Sequence, residues 1–408
     1  MSIFREIPPS AGFPVYASDF LSFFSPARRA GSLENDFKDY LGLNYAAITC
    51  SGTAALYIIL ETLKDLSAKK TVVIPSYVCP LLPLAIKRAG LNIEICDINK
   101  DNFDFNINEL ENLCAHNNDI LAIVPVHLAG IPVDLDALSK ISKKTGIFIV
   151  EDCAQALGAV YKGKKAGTIG DFSFFSLARG KGLTIYEGGV IVTGNNDYAA
   201  LVDKKIKSLA GNNIFAEAIK IIELFGYAIF YRPHLFWFIF SLPQLFWKLQ
   251  NKPLKAMQEY YKINFPLDNV SNFRKMIGHF IFKRLQGQIN QQQDKAGYYI
   301  KALESAPGIK IVKASPGTQA SYPYLTVIFD DPAVRDKLFY SRASSGLGIS
   351  WVYICAISDY GYLRAILPLR NLPNAQHMAS NSLTLSTNIF LTPRDAGKLK
   401  NFLTSALH

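Results

Sequence analysis

A lysine in an apolar, glycine-rich segment is the residue of this sequence best suited to covalent chemistry. Lys181 lies between Asp171 and Gly189, in the stretch DFSFFSLARGKGLTIYEGG. An ammonium group is poorly solvated in such surroundings, which lowers its pKa and leaves the neutral amine that can form an imine with a carbonyl group. Because a lysine beside glycine is also typical of a solvated turn, Lys181 alone does not establish a catalytic site.

An acidic pair upstream of this lysine follows a predicted buried strand. Glu151 and Asp152 come directly after the apolar run 147–150, which itself follows a glycine. Ligands of open α/β sheets bind at the carboxyl ends of strands, so an aspartate there could hold the protonated ring nitrogen of a cofactor. The alternative interpretation is a solvated acid at a strand end.

A turn of small residues further upstream predicts an anion site. Residues 49–55 read TCSGTAA and lead into a helical apolar pattern at positions 56, 59, 60 and 63. The first N–H groups of a helix lack partners and the helix dipole adds partial positive charge there, so Ser51 and its neighbours could hold a phosphate. Ser176, five residues before Lys181, could add a hydroxyl to the same anion.

The three segments occur in the same order as in a known family, which this sequence resembles. The sequence is similar to the DegT/DnrJ/EryC1/StrS family of pyridoxal 5'-phosphate (PLP) dependent sugar aminotransferases, over about residues 33–195. The matching segments are 51–56, 75–77, 126–132, 151–158, 170–172 and 176–189. The resemblance implies an α/β protein of PLP-transferase fold type I, acting as a homodimer.

The resemblance also implies a role for each matched residue. Lys181 would form the covalent link to the cofactor and then move a proton between substrate carbon and cofactor, while Asp152 would pair with the pyridine nitrogen. Gln155 would lie beside the phenolic oxygen of PLP. The phosphate would be held by Gly52, Thr53 and Ser176.

The sequence departs from the family pattern at two places. Many members carry an aromatic residue that stacks on the cofactor ring at the position occupied here by Cys79. Either the small apolar Cys79 covers the ring or Tyr77 reaches it. The family also takes a phosphate contact from the neighbouring subunit, and residues 272–276 resemble that segment with one extra residue before the methionine, so the register stays open.

Composition limits the class of protein. The chain has 408 residues, 50% of them hydrophobic, and six scattered cysteines without CxxC spacing. It is long enough to fold without disulfides or metal, and neither a zinc site nor a disulfide framework is predicted, which favours the cytoplasm. No signal peptide is expected. The net charge of +10 suggests an anionic partner, and the sequence contains no recognisable nucleic-acid-binding module.

The pattern of elements predicts two domains and an insert. Strand patterns at 71–74, 93–96, 121–125, 147–150 and 189–192 alternate with helical patterns, which indicates a mostly parallel sheet covered by helices. We expect a large PLP-binding domain with an N-terminal arm over residues 1–213. A smaller α+β domain is expected over residues 259–408, with strands near 322–329, 349–353 and 383–386.

The insert, residues 214–258, is rich in aromatic and aliphatic residues. Its second apolar run, 235–247, is too short to span a bilayer and contains a proline. With Arg232, Lys248, Lys252 and Lys255 beside it, residues 224–247 could lie in a membrane interface. The alternatives are a dimer contact or a lid over the substrate pocket.

Function follows from the resemblance. It implies an aminotransferase that moves an amino group from an amino acid, often glutamate, to a keto group of a nucleotide-linked or lipid-linked sugar or a related surface-polymer precursor. Some relatives are dehydratases in which a histidine replaces the lysine, and the presence of Lys181 favours transamination. A cofactor-binding regulator or a membrane scaffold without turnover is the alternative from another class.

Overall fold

The computed structural model describes residues 5–25, 30–250 and 259–406, and its centre is a seven-stranded sheet. The strands run in the order β1-β9-β8-β5-β4-β2-β3. Their bounds, with those of a short hairpin β6–β7, are β1 Tyr45–Thr49, β2 Thr71–Pro75, β3 Asn92–Cys96, β4 Ile120–Ile123, β5 Phe148–Asp152, β6 Val160–Tyr161, β7 Lys164–Lys165, β8 Phe172–Ser176 and β9 Gly189–Thr193.

The sheet is mostly parallel, as the alternating pattern predicts. β3, β2, β4, β5 and β8 pair in parallel, whereas β9 pairs antiparallel with both β8 and β1. Residues of the parallel strands are almost all buried, because helices cover both faces of the sheet. Two strands, β1 and β8, were not predicted.

Seven helices accompany these strands. Their bounds are α1 Ala17–Ser22, α2 Leu33–Leu41, α3 Gly52–Leu66, α4 Leu81–Arg88, α5 Ile107–His116, α6 Leu135–Thr145 and α7 Asn196–Leu209. Side chains that accept hydrogen bonds from first-turn N–H groups begin several of them, including Ser51 at α3 and Asn106 at α5. Such caps satisfy helix donors that lack intrahelical partners, which fixes where each helix starts.

In its described residues, 214–250, the insert forms three helices: α8 Ile214–Phe230, α9 Phe236–Ile239 and α10 Ser241–Leu249. In the part of the chain that the structure describes, none of the helices combines the length and apolarity needed to cross a membrane. Arg274, almost fully buried, anchors α8 by a bidentate ion pair with Glu217. Lys252 and Lys255, named above as flanking cations, lie outside the described residues.

The C-terminal part is built on a four-stranded antiparallel sheet in the order β10-β12-β14-β13. The elements are α11 Asn272–Phe282, α12 Leu285–Leu303, β10 Ile309–Ile311, β11 Thr318–Gln319, β12 Tyr324–Phe329, α13 Pro332–Phe339, α14 Arg342–Leu347, β13 Ile349–Ser350, α15 Pro373–Asn381, β14 Ser382–Ser386 and α16 Pro393–Ala406. β11 instead pairs with β6, beside the large sheet. The domain boundaries at 213/214 and 258/259 stay predictions.

Candidate active site

The segments singled out in the sequence meet at one cavity of about 1010 Å³. Asp152 and Ser176 are the last residues of β5 and β8, so their side chains lie at the carboxyl ends of neighbouring parallel strands. Seven of the eight predicted site residues line the cavity: Gly52, Thr53, Cys79, Asp152, Gln155, Ser176 and Lys181. Tyr77 does not.

Lys181 lies on the loop between β8 and β9. Burial lowers the pKa of its amine, which favours the neutral form. Within the described residues, no hydrogen bond or ion pair engages this amine. Two N-terminal residues hold the loop in place, because Ser10 Oγ donates to the carbonyl of Gly180 (2.8 Å) and Phe13 N–H donates to that of Gly182 (2.9 Å).

Two tyrosines of the insert clamp that N-terminal segment. The hydroxyl of Tyr231 donates to Ser10 O (2.9 Å) and accepts from the N–H of Gly12 (3.0 Å), while Tyr227 donates to Phe13 O (3.2 Å). A Cβ atom at position 12 would lie less than 3 Å from both hydroxyls, so only glycine fits at this position. The insert is thereby connected to the loop that carries Lys181.

Tyr231→Phe should therefore make the loop that carries Lys181 less rigid, while the cofactor stays bound in the cavity. The change leaves the N–H of Gly12 unpaired in a buried position, which costs about 1–3 kcal/mol in free energy of unfolding. We expect a lower Tm and a reduced kcat with cofactor still bound, measured by thermal melts and single-turnover kinetics. Tyr45→Phe, which removes an exposed hydroxyl bonded to Asp203, is the control. An unchanged Tm and kcat in Tyr231→Phe would contradict the clamp.

Asp152 is 3% exposed, and its burial raises the pKa of the carboxyl to about 6. The N–H of Ala154 donates to Oδ1 (2.9 Å), and the positive charge of Lys181 also opposes the rise. Oδ2 receives no hydrogen bond from the described residues. A buried carboxylate with a free oxygen facing a cavity is suited to pairing with a cationic group of a ligand.

Behind Asp152, a buried trio of His127, Glu151 and Cys153 brings possible metal-ligating atoms within 4.8 Å of one another. Hydrogen bonds engage the histidine and the carboxylate: Nδ1 of His127 accepts from the N–H of Val133, so Nε2 donates to Glu151 (3.0 Å). Glu151 also accepts three backbone N–H bonds from residues 167, 169 and 170. This network supports the strand end that carries Asp152, and the prediction of no metal site stays a prediction.

The predicted anion site lies at the start of α3. Ser51 Oγ accepts from the N–H of Ala54 (3.0 Å), which leaves the N–H groups of Gly52 and Thr53 without intrahelical partners at the cavity. Ser176 is close by, since a Cβ added to Gly52 would lie 3.3 Å from its Cβ. A hydroxyl beside a helix N-terminus is an arrangement that binds phosphate.

Gln155 also lines the cavity, and hydrogen bonds fix the oxygen of its side-chain amide. Its Oε1 accepts from the N–H of Ala129 (3.0 Å) and from the hydroxyl of Tyr324. The amide NH₂ is therefore the part of Gln155 left to donate a hydrogen bond to a ligand, an orientation assigned from these partners.

Cys79 and Tyr77 occupy different environments. Cys79 lies on the cavity wall, where burial raises the pKa of its thiol to about 11. Tyr77 is fully buried, and its hydroxyl exchanges hydrogen bonds with the backbone of Tyr353 (2.8 and 3.0 Å). Two aromatic residues that the sequence did not single out, Tyr261 and Tyr353, also line the cavity.

The insert supplies part of the same wall. Lys220 lines the cavity and forms ion pairs with Glu187 (2.7 Å) and Glu223 (2.9 Å), which also line it. Trp237 and Phe240 of the insert add apolar surface. The alternative of a lid over the substrate pocket agrees with this placement. Asn272, from the segment compared with the family's cross-subunit contact, is exposed at the start of α11.

Curated relatives include enzymes of amino-sugar synthesis. A UDP-4-amino-4,6-dideoxy-N-acetyl-beta-L-altrosamine transaminase of Campylobacter jejuni is 25% identical over 93% of this chain and 90% of its own length. A GDP-perosamine synthase of Escherichia coli O157:H7 is 34% identical, but the alignment covers 39% of this chain and 43% of that protein. The chain thus spans less than half the length of some of its curated relatives.

Solved structures show the same fold. A sugar aminotransferase of Streptococcus pneumoniae in its PMP form superposes with a TM-score of 0.76 at 20% identity, covering 98% of this chain and 99% of that one. The expected fold type I is confirmed. A family model matches residues 22–213 and 252–403, which leaves out most of the insert. The match covers well over half of the sequence, and the chain belongs to the DegT/DnrJ/EryC1/StrS aminotransferase family, whose aminotransferases are PLP-dependent.

Proposed function

We propose that the protein transfers an amino group from an amino acid, glutamate by analogy, to the keto group of a nucleotide-linked or lipid-linked sugar used in cell-surface polysaccharide synthesis. One observation supports this most: a lysine whose pKa is lowered by burial, a buried carboxylate and a helix N-terminus face the same cavity. The UDP- and GDP-linked products named for two relatives favour a nucleotide-linked acceptor.

The residues present fit PLP. The free N–H groups of Gly52 and Thr53, with Ser176, match its phosphate, and the unpaired oxygen of Asp152 matches its ring nitrogen. Gly189 supports the fit, because a Cβ there would lie 2.3 Å from the carbonyl oxygen of Ser51. The backbone at the start of α3 therefore packs against β9 with no room for a side chain.

When bound, PLP supplies an aldehyde that exchanges amino groups and a ring that withdraws electrons. Burial lowers the pKa of Lys181, so its amine in the neutral form could attack a carbonyl and afterwards hold the proton removed from the substrate carbon. Asp152 would keep negative charge beside the ring nitrogen, and Gln155 would donate a hydrogen bond through its amide NH₂. The N-terminus of α3 would hold the phosphate and so keep the reacting carbon within reach of Lys181.

Gly189→Ala should weaken cofactor binding. The new methyl would press on Ser51 O and on Gly52 N (2.7 Å), so the start of α3 would have to move. We expect about a tenfold or greater loss of PLP affinity, measured by equilibrium titration of the apoprotein. Gly194→Ala, whose Cβ would make an ordinary contact with Leu43, is the control. Equal affinities in the two variants would place the phosphate elsewhere.

The proposed activity is tested with purified holoenzyme, amino donors and a panel of nucleotide-linked keto sugars. Conversion of the bound cofactor to its amino form by glutamate, followed by mass-spectrometric detection of an aminated sugar, is the expected result. Water elimination from the sugar without amino transfer would instead favour the dehydratase alternative. Purified protein that binds no PLP would favour a regulator or scaffold.

We also propose a homodimer in the cytoplasm, at the inner face of the membrane. The resemblance to the family supports the dimer, and the apolar insert supports peripheral membrane contact through residues 224–247. Sedimentation of the holoenzyme would give its mass, and fractionation of cells would give its location. A stable monomer recovered only from the soluble fraction would contradict both.

A further inference from the structure

The longest helix of the insert has its polarity reversed relative to an ordinary surface helix. The charged residues of α8 are Glu217, Lys220 and Glu223, and all three turn toward the protein, where they pair with Arg274, Glu187 and each other. Every exposed residue of α8 is apolar: Ile214, Phe215, Ala218, Ile219, Ile222, Phe225, Ile229 and Phe230. A helix facing only water would show the opposite arrangement.

The apolar surface continues beyond α8. Phe20 of α1 stacks on Phe225 at 4.2 Å between ring centroids, and Leu21 and Phe24, beside it in the chain, are 69% and 75% exposed. On α9 and α10 the exposed hydrophobic residues are Phe238, Ile239, Leu242, Leu245, Phe246 and Leu249. We call the exposed apolar residues of α8, α9 and α10, together with Leu21 and Phe24, the apolar face. Large exposed apolar surfaces on a protein often mark binding sites.

The charge of the insert selects among the partners that could cover this face. From Leu224 to Gln258 the sequence contains no aspartate or glutamate, and it contains Arg232, Lys248, Lys252 and Lys255. A two-fold interface between copies would bring this acid-free, basic segment against itself, because both subunits of such a dimer use the same patch. An anionic lipid surface offers the opposite charge and also accepts apolar side chains.

We propose that the apolar face docks on the interface of an anionic lipid bilayer. α8 has 17 residues and is about 26 Å long, so it can lie in the plane of the membrane with its outer side chains among the acyl chains. The family model leaves out residues 214–251, which contain α8, α9 and α10. The inner side of the same insert lines the catalytic cavity, so docking would hold that cavity next to the bilayer.

The test is co-sedimentation of the holoenzyme with vesicles of phosphatidylcholine alone or with phosphatidylglycerol. The docking variant combines Phe215→Ser, Ile219→Ser and Ile222→Ser, which are 84%, 55% and 69% exposed and are not among the residues that line the cavity. The control variant combines Leu369→Ser and Tyr298→Ser, exposed apolar residues outside the insert (97% and 46%). A second docking variant, Leu242→Ser with Phe246→Ser, provides an independent measurement on α10.

We expect the wild type and the control variant to pellet with anionic vesicles, and both docking variants to bind at least about tenfold more weakly. Binding should be weaker to neutral vesicles and should fall only in part when salt is raised. PLP absorbance and turnover of a soluble substrate should stay the same in all variants. The proposal would be overturned if the wild type did not bind anionic vesicles. It would also be overturned if the docking variants dissociated into monomers while their vesicle binding was unchanged. Because turnover is measured without vesicles, failure of docking is separate from failure of the proposed function.

Discussion

Lys181→Ala should abolish transamination while the fold and the cavity persist. Two functions of the amine are lost together, the covalent link to the cofactor and the transfer of the substrate proton, so we expect turnover to fall by about 10⁴-fold or more. PLP should still bind through the α3 phosphate site and Asp152, but borohydride should no longer attach it to the protein. Activity assays and peptide mass spectrometry measure the two effects.

The same variant has a stability signature that a structural lysine would not give. Burial lowers the pKa of Lys181 from its ordinary value of 10.5, so the folded protein binds this proton more weakly than the unfolded chain. The free energy of unfolding of the apoprotein therefore rises with pH between the lowered pKa and 10.5. Lys181→Ala should remove that part of the pH dependence without lowering Tm at neutral pH.

Lys164→Ala is the matched control, because Lys164 is an exposed residue of the β6–β7 hairpin. It should retain full turnover and the borohydride adduct at position 181. Finding the reduced adduct of the wild type on Lys164, Lys165 or another lysine would show that Lys181 is not the nucleophile.

The residues of the candidate site could be predicted because each belongs to a short segment with its own local signal. A buried apolar run followed by acids places Asp152 at the end of a strand, and a capping serine places Gly52 at the start of a helix. The carboxyl ends of parallel strands meet at one edge of a sheet, so such segments converge even when they are far apart in sequence. This explains why seven of the eight predicted residues share a cavity.

The features of the site and fold that the sequence did not predict depend on contacts between distant parts of the chain. Tyr353 reaches the cavity from the loop after β13. Its ring packs edge-on against that of Tyr77, at 5.5 Å between centroids, and its backbone bonds to the Tyr77 hydroxyl, so Tyr77 lies behind it. Which residue covers the cofactor ring stays open between Cys79 and the newly found aromatic side chains. The strand β1 was missed because it lies at the edge of the sheet, where a five-residue segment of mixed burial gives a weak pattern.

The insert illustrates the same limit in another way. Its composition predicts an apolar surface, and the structure agrees, but no local signal shows that Tyr227 and Tyr231 point inward to residues 10–13. Those hydrogen bonds join residues more than two hundred positions apart in the sequence. Periodicity reports which face of a helix is apolar and leaves open which face meets the protein.

Asp152→Asn should separate catalysis from stability at the second key residue. The amide keeps the shape of the carboxylate and can still accept the N–H bond of Ala154, but it carries no negative charge beside the ring nitrogen. The electron-withdrawing power of the bound cofactor then falls, and we expect turnover to drop by about 10²-fold or more. Pre-steady-state rates of the amino-donor half-reaction measure this loss.

The same Asp152→Asn variant should be more stable than wild type as an apoprotein, although its turnover is lower. Burial raises the pKa of Asp152 from 3.8 to about 6, so the folded protein holds this proton more tightly than the unfolded chain. Stability is therefore lost as pH rises between those two values, and at pH 7 the buried carboxylate costs on the order of 1–3 kcal/mol. Asp152→Asn removes that cost, so its apoprotein should melt at a higher temperature than wild type at neutral pH and at the same temperature in acid. A slow variant that is also less stable at pH 7 would mean that Asp152 supports the fold, because removing a buried charge whose pKa is raised by burial should stabilise the empty site.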